Sequence, residues 1–350
     1  MSGIADAGGD GKAIQTAWNT RIDTIISGLF QAAYGEAMAA GGVPLADSPW
    51  AFCVSGSGAR QEACPYSDLD CFVLLDDASP SRVAIFRDGA LRMRTMLFAM
   101  GEDGAVDTLG VRFCHGGLNP IGLGVASSPP LIGTPATIAS FIENATVADH
   151  IRQGLSESRL ICGHKALHDT YLAETEAIRG KSLSAPWARP MLPGRKKLGL
   201  KLIQDAASKT IPDMSGALDI KTDIYRLPQF LLGGLAAYYG EAETNSFRIV
   251  TALERRGKLG RSSVTAFNRV LEAVARLRTT AHLGMHREAD MIAPPTAPDS
   301  VNETKLEAAD WLKLKICRME LEALKRLAGE FATAKQKMFQ SDRNNPFANY

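Results

Sequence analysis

The stretch that decides the fold is Ala51-Phe52-Cys53-Val54-Ser55-Gly56-Ser57-Gly58-Ala59-Arg60-Gln61-Glu62-Ala63-Cys64-Pro65-Tyr66-Ser67-Asp68-Leu69-Asp70-Cys71-Phe72-Val73-Leu74-Leu75. It opens with a short apolar run, Ala51 to Val54. A turn of small residues follows, Ser55 to Ala59, and after Pro65 a second apolar run, Leu69 to Leu75, reads as another strand. A Gly-Ser turn after a strand lets the backbone approach a ligand closely, and its N–H groups can hold phosphate oxygens. Asp68 and Asp70 stand at i and i+2 of the predicted strand, so both carboxylates are expected on one face. Two adjacent carboxylates repel each other unless a cation lies between them, and a hard divalent ion with oxygen ligands meets that need. Stability alone is a poor reason to begin a buried apolar strand with two acids.

Working outward, apolar positions at helical spacing (Trp18, Ile22, Ile25, Ile26, Leu29, Phe30, Ala33) predict a helix from Ala13 to Ala40, stopped by Gly41-Gly42 and Pro44. Residues 1–11 are rich in Gly, Ala and Asp and read as a mobile N-terminus. A helix is expected over 80–100, then a Gly-rich stretch with a strand at Val111–Cys114, and helices at 136–144, 146–158 and 164–178. Pro186, Pro190, Pro193 and Gly194 mark residues 181–194 as a linker. Beyond it the pattern turns helical: 195–209, 226–239, 244–256 and 262–286. A last helix is expected from Val301 to Met338, with Ser300 and Glu303 as a capping box, and a tail over 339–350. Its apolar positions (Trp311, Leu312, Leu314, Ile316, Leu321, Leu324, Leu327) read as a stripe docked on its own domain, with a dimer seam as the lesser alternative.

Composition narrows the function classes. The 350 residues carry 39 Lys+Arg against 38 Asp+Glu, a net charge of +1. Such a balance offers no global attraction to nucleic acid or to an anionic membrane, so no stable nucleic-acid partner is expected and any phosphate chemistry must rest on a local site. No apolar run is long enough to span a bilayer, and no secretory leader stands at the N-terminus. The six cysteines lack CxxC spacing and read as buried thiols of a reducing compartment. A cytoplasmic location is therefore expected, with export by a specialised machine as the alternative.

The order hydrophobic-Gly-Ser, then a gap over residues 58–67, then Asp-x-Asp resembles the nucleotidyltransferase signature of the DNA polymerase β superfamily. The finer match is to the uridylyltransferase of signal protein PII and its relatives, in which Gly56, Ser57, Arg60, Glu62, Pro65, Ser67, Asp68 and Asp70 find their counterparts in register. The resemblance implies an α/β (α+β) nucleotidyltransferase fold with a small mixed sheet over residues 12–180. An all-α helical bundle is implied over 195–338. It implies transfer of a nucleoside monophosphate from a nucleoside triphosphate to a hydroxyl of a protein or small molecule. Two Mg²⁺ ions, with Mn²⁺ as an alternative, would be held by Asp68 and Asp70.

A segment at Leu155–Leu167 is similar to a second family segment and suggests Glu157 as the third metal-binding acid, with Asp107 as its rival. Gly56, Ser57, Arg60 and Ser67 are implied as nucleotide contacts. Arg60 could instead lock the turn through Glu62. Lys221, at a position similar to a family lysine, could bind the triphosphate, although the run that follows it in the family is not kept. His164/His168 and His282/His286 stand four apart but lack a third ligand of the right type, so packed or solvated histidines are expected. Two other readings stay open: a silent nucleotide-sensing module, and a secreted effector using the same chemistry.

Overall fold

Strand residues that alternate between two apolar faces set the architecture of the first part of the molecule. In the computed structural model, residues 10–42, 49–68, 70–99, 111–112, 132–142, 154–181, 194–285, 289–298, 300, 303–337 and 345–349 are described. Helix α1 spans Gly11–Ala40, β1 Trp50–Val54, α2 Gly56–Arg60, β2 Ser67–Asp68, β3 Cys71–Leu75 and α3 Pro80–Ala99. They are followed by β4 (Val111–Arg112), β5 (Ile132–Gly133), α4 (Pro135–Ser140), β6 (Arg159–Gly163) and α5 (Lys165–Lys181). A four-stranded mixed sheet runs in the order β5-β3-β1-β6. β1 is antiparallel to both β3 and β6, and β3 is parallel to β5.

Because side chains alternate across a sheet, Trp50, Phe52, Val54, Val73 and Leu75 face one side, where they meet Phe30, Tyr34 and Met38 of α1 and Phe86 of α3. Ala51, Cys53, Phe72 and Leu74 face the other, against Ile138 of α4 and Tyr171 of α5. Covering both faces explains why β1 and β3 are apolar at every position rather than at every second one.

Contacts divide the chain into two compact units. One comprises Thr16–Ser184 with His286–Glu288; the other comprises Met1–Gln15, Ala185–Met285 and Ala289–Tyr350. The second unit is built from α6 (Gly194–Ser208), β7 (Leu218–Asp219), a π-helical turn (Ile220–Tyr225), α7 (Arg226–Tyr239), α8 (Ser246–Arg255) and α9 (Arg261–Met285). β8 (Met291–Ala293), β9 (Thr304–Lys305), α10 (Ala308–Lys337) and α11 (Pro346–Asn349) complete it. α6 and α7 cross with their backbones in contact: a Cβ on Gly199 would lie 2.5 Å from the Gly234 carbonyl oxygen, and one on Gly234 2.8 Å from that of Gly199. Ile203, Leu231, Leu235, Phe267, Leu314, Leu321 and Phe331 fill the core.

Several expectations are corrected. The helical unit is not all-α: β7, β8 and β9 form a three-stranded ladder. Its strands are too short for alternation to reveal. The last helix starts at Ala308, not Val301, because Thr304 and Lys305 pair with β8, so Ser300 and Glu303 precede its first turn and are not its capping box. The expected tail is not free chain throughout. Phe347 is fully buried, and its carbonyl accepts hydrogen bonds from Gly260 N–H and Ser263 Oγ. The second strand of the deciding stretch is broken: Asp68 belongs to β2, which pairs with β4, whereas the main-sheet strand starts only at Cys71. Of the linker expected at 181–194, residues 182–193 lie outside the described residues, as do residues 146–153 of the helix expected at 146–158 and Asp107.

Candidate active site

β1 delivers the chain into the turn that the sequence singles out. The β1–β3 ladder is extended by one bond, from Ser55 N–H to the Asp70 carbonyl at 2.8 Å. Gly56 then opens α2 with φ +57, a conformation that favours glycine. A Cβ there would stand 2.8 Å from Asp70 Oδ2, so the half-buried Asp70 carboxylate lies directly over the Gly56 backbone. The Ser57 hydroxyl is half-exposed and makes no hydrogen bond to another described residue. Asp68 has its backbone in β2, two positions before Asp70.

The rest of the signature holds this turn in shape. α2 ends after five residues because Gln61 adopts a left-handed conformation, φ 58. Its N–H bonds the Gly58 carbonyl at 3.2 Å, and the Glu62 N–H reaches back to Ser57 at 2.8 Å. Cys64-Pro65-Tyr66-Ser67 follows as a tight turn. Pro65 takes the second position, Tyr66 has φ 63, and Ser67 N–H bonds the Cys64 carbonyl at 3.1 Å. Proline followed by a left-handed residue is the type II pattern. A buried tyrosine in the place where glycine usually sits is a strained choice, of the kind that concentrates at functional sites. The Ser67 hydroxyl accepts the Cys64 N–H at 3.0 Å, so this buried side chain closes the turn.

Arg60 is buried, with 9% of its surface exposed. Its Nε donates to Glu62 Oε2 and its Nη1 to Glu157 Oε2, each at 2.9 Å. Arg60 and Glu157, which the sequence reading placed as a nucleotide contact and a metal ligand, are thus joined to each other. Glu157 follows a helical turn, residues 154–156, that packs on the motif: a Cβ on Gly154 would be 3.8 Å from the Gly56 nitrogen.

Sequence reading missed two supports from α1. Arg159, at the head of β6, makes a two-pronged pair with Asp23 at 2.8 and 2.9 Å and donates to the Gly58 carbonyl at 2.9 Å. The buried Asn19 donates to the Ala63 carbonyl at 3.0 Å. Nothing local marks either contact; Asp23 lies 136 positions from Arg159. Next to Glu157, Ser158 Oγ lies 3.1 Å from His168 Nε2. Burial holds the His168 imidazole below its ordinary pKa, against the opposing hydrogen bond with Ser158 and the charge of Asp169. His164, by contrast, is exposed and precedes the first residue of α5.

Lys221 lies in the π-helical turn of the other unit, half-buried. Among the described residues no group of three His, Cys, Asp or Glu side chains is placed to hold a metal ion. Asp70 offers hard oxygen donors directly over the Gly56 backbone, the kind of ligand a divalent cation takes.

Residues 1–117, about a third of the chain, match the model of the family described as "Putative nucleotidyltransferase DUF294". The chain is thus similar over this span to a nucleotidyltransferase domain, and the match supports a transferase of nucleotidyl groups. No curated protein matches the chain. No helix among the described residues is long and apolar enough to cross a membrane.

Proposed function

We propose that the protein transfers a nucleoside monophosphate from a nucleoside triphosphate to an acceptor hydroxyl. The acceptor oxygen bonds to the α-phosphorus, the bond from that phosphorus to the β-bridging oxygen breaks, pyrophosphate leaves, and the hydroxyl gives up its proton. The observation that carries this reading is a division of labour within residues 56–70. Arg60, Glu62, Pro65 and Ser67 are engaged with one another or with neighbouring backbone. The Gly56 backbone, with φ +57, lies against the Asp70 carboxylate at the end of β1, and the Ser57 hydroxyl makes no hydrogen bond to another described residue.

Backbone N–H groups of the Gly56–Gly58 turn and the Ser57 hydroxyl would take the β and γ phosphates. Asp70 and Asp68 would hold Mg²⁺ or Mn²⁺, which when bound supplies positive charge to the attacking oxygen and the leaving pyrophosphate. Arg60 is assigned the lock rather than a phosphate contact. Glu157, with one oxygen on Arg60, is assigned the same lock. A third acid from elsewhere, Asp107 being the sequence candidate, would then complete the metal site. The relation to PII-modifying enzymes rests on the motif alone and suggests a protein Tyr, Ser or Thr, or a small molecule, as acceptor.

The test is incubation of the purified chain with each α-³²P-labelled nucleoside triphosphate, Mg²⁺ and a cell lysate, beside the Asp68→Ala/Asp70→Ala protein. Label should pass to a protein or small product with the unmodified chain only. If no triphosphate gives transfer and calorimetry detects no Mg²⁺-dependent nucleotide binding, the enzymatic reading fails.

A further inference from the structure

Helix α10 turns Leu314, Cys317, Leu321, Leu324, Ala328 and Phe331 into the core of the helical unit. Its opposite face carries Leu312, Ile316 and Met319, exposed by 60%, 41% and 73%. Of the described residues, these are three of the large apolar side chains most open to water, and they follow one another at i, i+4 and i+7, the spacing of a single helical stripe. The sequence stripe read as docked on its own domain therefore splits in two: Trp311, Leu314, Leu321, Leu324 and Leu327 point inward, and Leu312 and Ile316 point out. Contiguous apolar surface of this kind marks an interaction face more often than a random exposure.

The charges beside the stripe indicate its occupant. On one flank, Lys313 pairs with Asp310 at 3.2 Å, and Glu320 pairs with Arg269 of α9. On the other, Lys315 is exposed and makes no ion pair with a described residue, while Glu322 reaches only Arg318, at 3.9 Å. Lys315 and Glu322 stand seven apart, two helical turns, on the same side of the stripe.

In an antiparallel pair of identical helices, each flank meets the same flank of its mate, and every contact occurs twice about a two-fold axis. With that axis through Met319, the two Met319 side chains meet at the centre and Ile316 lies beside the partner's Met319. Leu312 lies along the stem of the partner's Arg326, and Lys315 faces the partner's Glu322. Opposite charges in such flanking positions set partner choice and orientation. We propose that the α10 face of Leu312, Ile316 and Met319 docks on the same face of a second copy, antiparallel, with Lys315 and Glu322 pairing reciprocally across the axis. The inference is independent of the proposed activity. The stripe is shorter than a standard interface of about 800 Å² per partner, so association in the micromolar range is expected.

Sedimentation equilibrium of the full chain from about 1 to about 100 µM tests it. A monomer–dimer equilibrium is expected, and Met319→Asp should abolish it. Lys315→Glu should weaken it about tenfold, because two attractive pairs become repulsive. The double exchange Lys315→Glu/Glu322→Lys should restore the original affinity, which a different interface would not do. Under mild oxidation Met319→Cys should give a covalent dimer. Leu312→Cys should not, since its mate lies about 20 Å away along the antiparallel helices. All four sites are exposed, so unchanged melting curves will certify the variants as folded. A chain that sediments as a monomer throughout overturns the proposal, as does a dimer indifferent to Met319→Asp and to the charge exchange.

Discussion

A single methyl group at Gly56 would meet both a left-handed backbone, φ +57, and the Asp70 carboxylate at 2.8 Å. Gly56→Ala should therefore lower kcat/KM for the triphosphate about 100-fold or more, while costing only about 1–3 kcal/mol of stability in a urea titration. Arg60→Met has the reverse signature. It leaves Glu62 and Glu157 without their cation in a site where their side chains are 2% and 16% exposed. Loss of about 3–5 kcal/mol of unfolding free energy is expected, measured the same way, because the two carboxylates stay buried without the guanidinium that bridges them.

The sequence made the two kinds of motif position look alike. It gathered Gly56, Ser57, Asp68 and Asp70 into one signature with both acids on a single strand, whereas Asp68 stands in β2 and the main-sheet strand starts at Cys71. It also suggested Ser67 and Arg60 as nucleotide contacts, whereas their hydrogen-bonding groups are turned onto Cys64, Glu62 and Glu157. A residue that binds a ligand and one that shapes the loop holding it leave the same trace in a short signature. Arg159 with Asp23 left no trace, since their pairing depends on how β6 passes α1.

Among the elements, those with a clear period were legible. The apolar runs of β1 and β3 and the helical spacing of α1, α7 and α9 gave bounds close to those observed. The π-helical turn was not foreseen, because its stabilisation comes from a distant cluster. Asp290 accepts from Arg278 at 2.7 Å and lies 3.0 Å from His282, and its backbone carbonyl takes the N–H of Ile220 at 2.8 Å, at the turn's first residue. Burial alone would raise the Asp290 carboxyl; the hydrogen bond with His282 and the charge and hydrogen bonds of Arg278 outweigh it and hold the group well below the usual carboxylate range.

A depressed carboxylate contributes stability that is present above its unfolded pKa and is lost as pH falls toward the folded value. Asp290→Asn should therefore cost about 2–4 kcal/mol at pH 7. That difference from the unmodified chain should shrink as urea titrations are moved below about pH 4. At the head of α8, Asn245 Oδ1 accepts the Arg248 N–H at 3.2 Å, and Asn245→Ala should cost about 1 kcal/mol in the same measurement.

Across the whole molecule, the thiols report on both units. Burial pushes the Cys53 thiol far up, helped by Cys162; Cys162 itself is pushed up to about 11, again by burial. In the helical unit burial likewise pushes Cys317 up to about 11. Thiolate is the reactive form, so iodoacetamide at pH 8 should leave all three unmodified in the folded chain. In a urea series read by mass spectrometry, Cys53 should become alkylated as the sheet unit opens and Cys317 as the helical unit opens. Labelling of either without urea would contradict the packing described.

One further consequence follows from the order β5-β3-β1-β6. The family match ends at residue 117, yet both outer strands of the sheet, Ile132–Gly133 and Arg159–Gly163, come later in the chain. A fragment cut at that boundary would carry the entire Gly56–Asp70 signature on a two-stranded ribbon covered on one face by α1 and α3 and bare on the other. Its edges would be open to pairing with other chains, Arg60 would have lost Glu157, and Asp23 would have lost Arg159. Anyone excising, grafting or fusing this sheet unit has to carry the chain through to Lys181, because the signature is local in sequence while its scaffold is not.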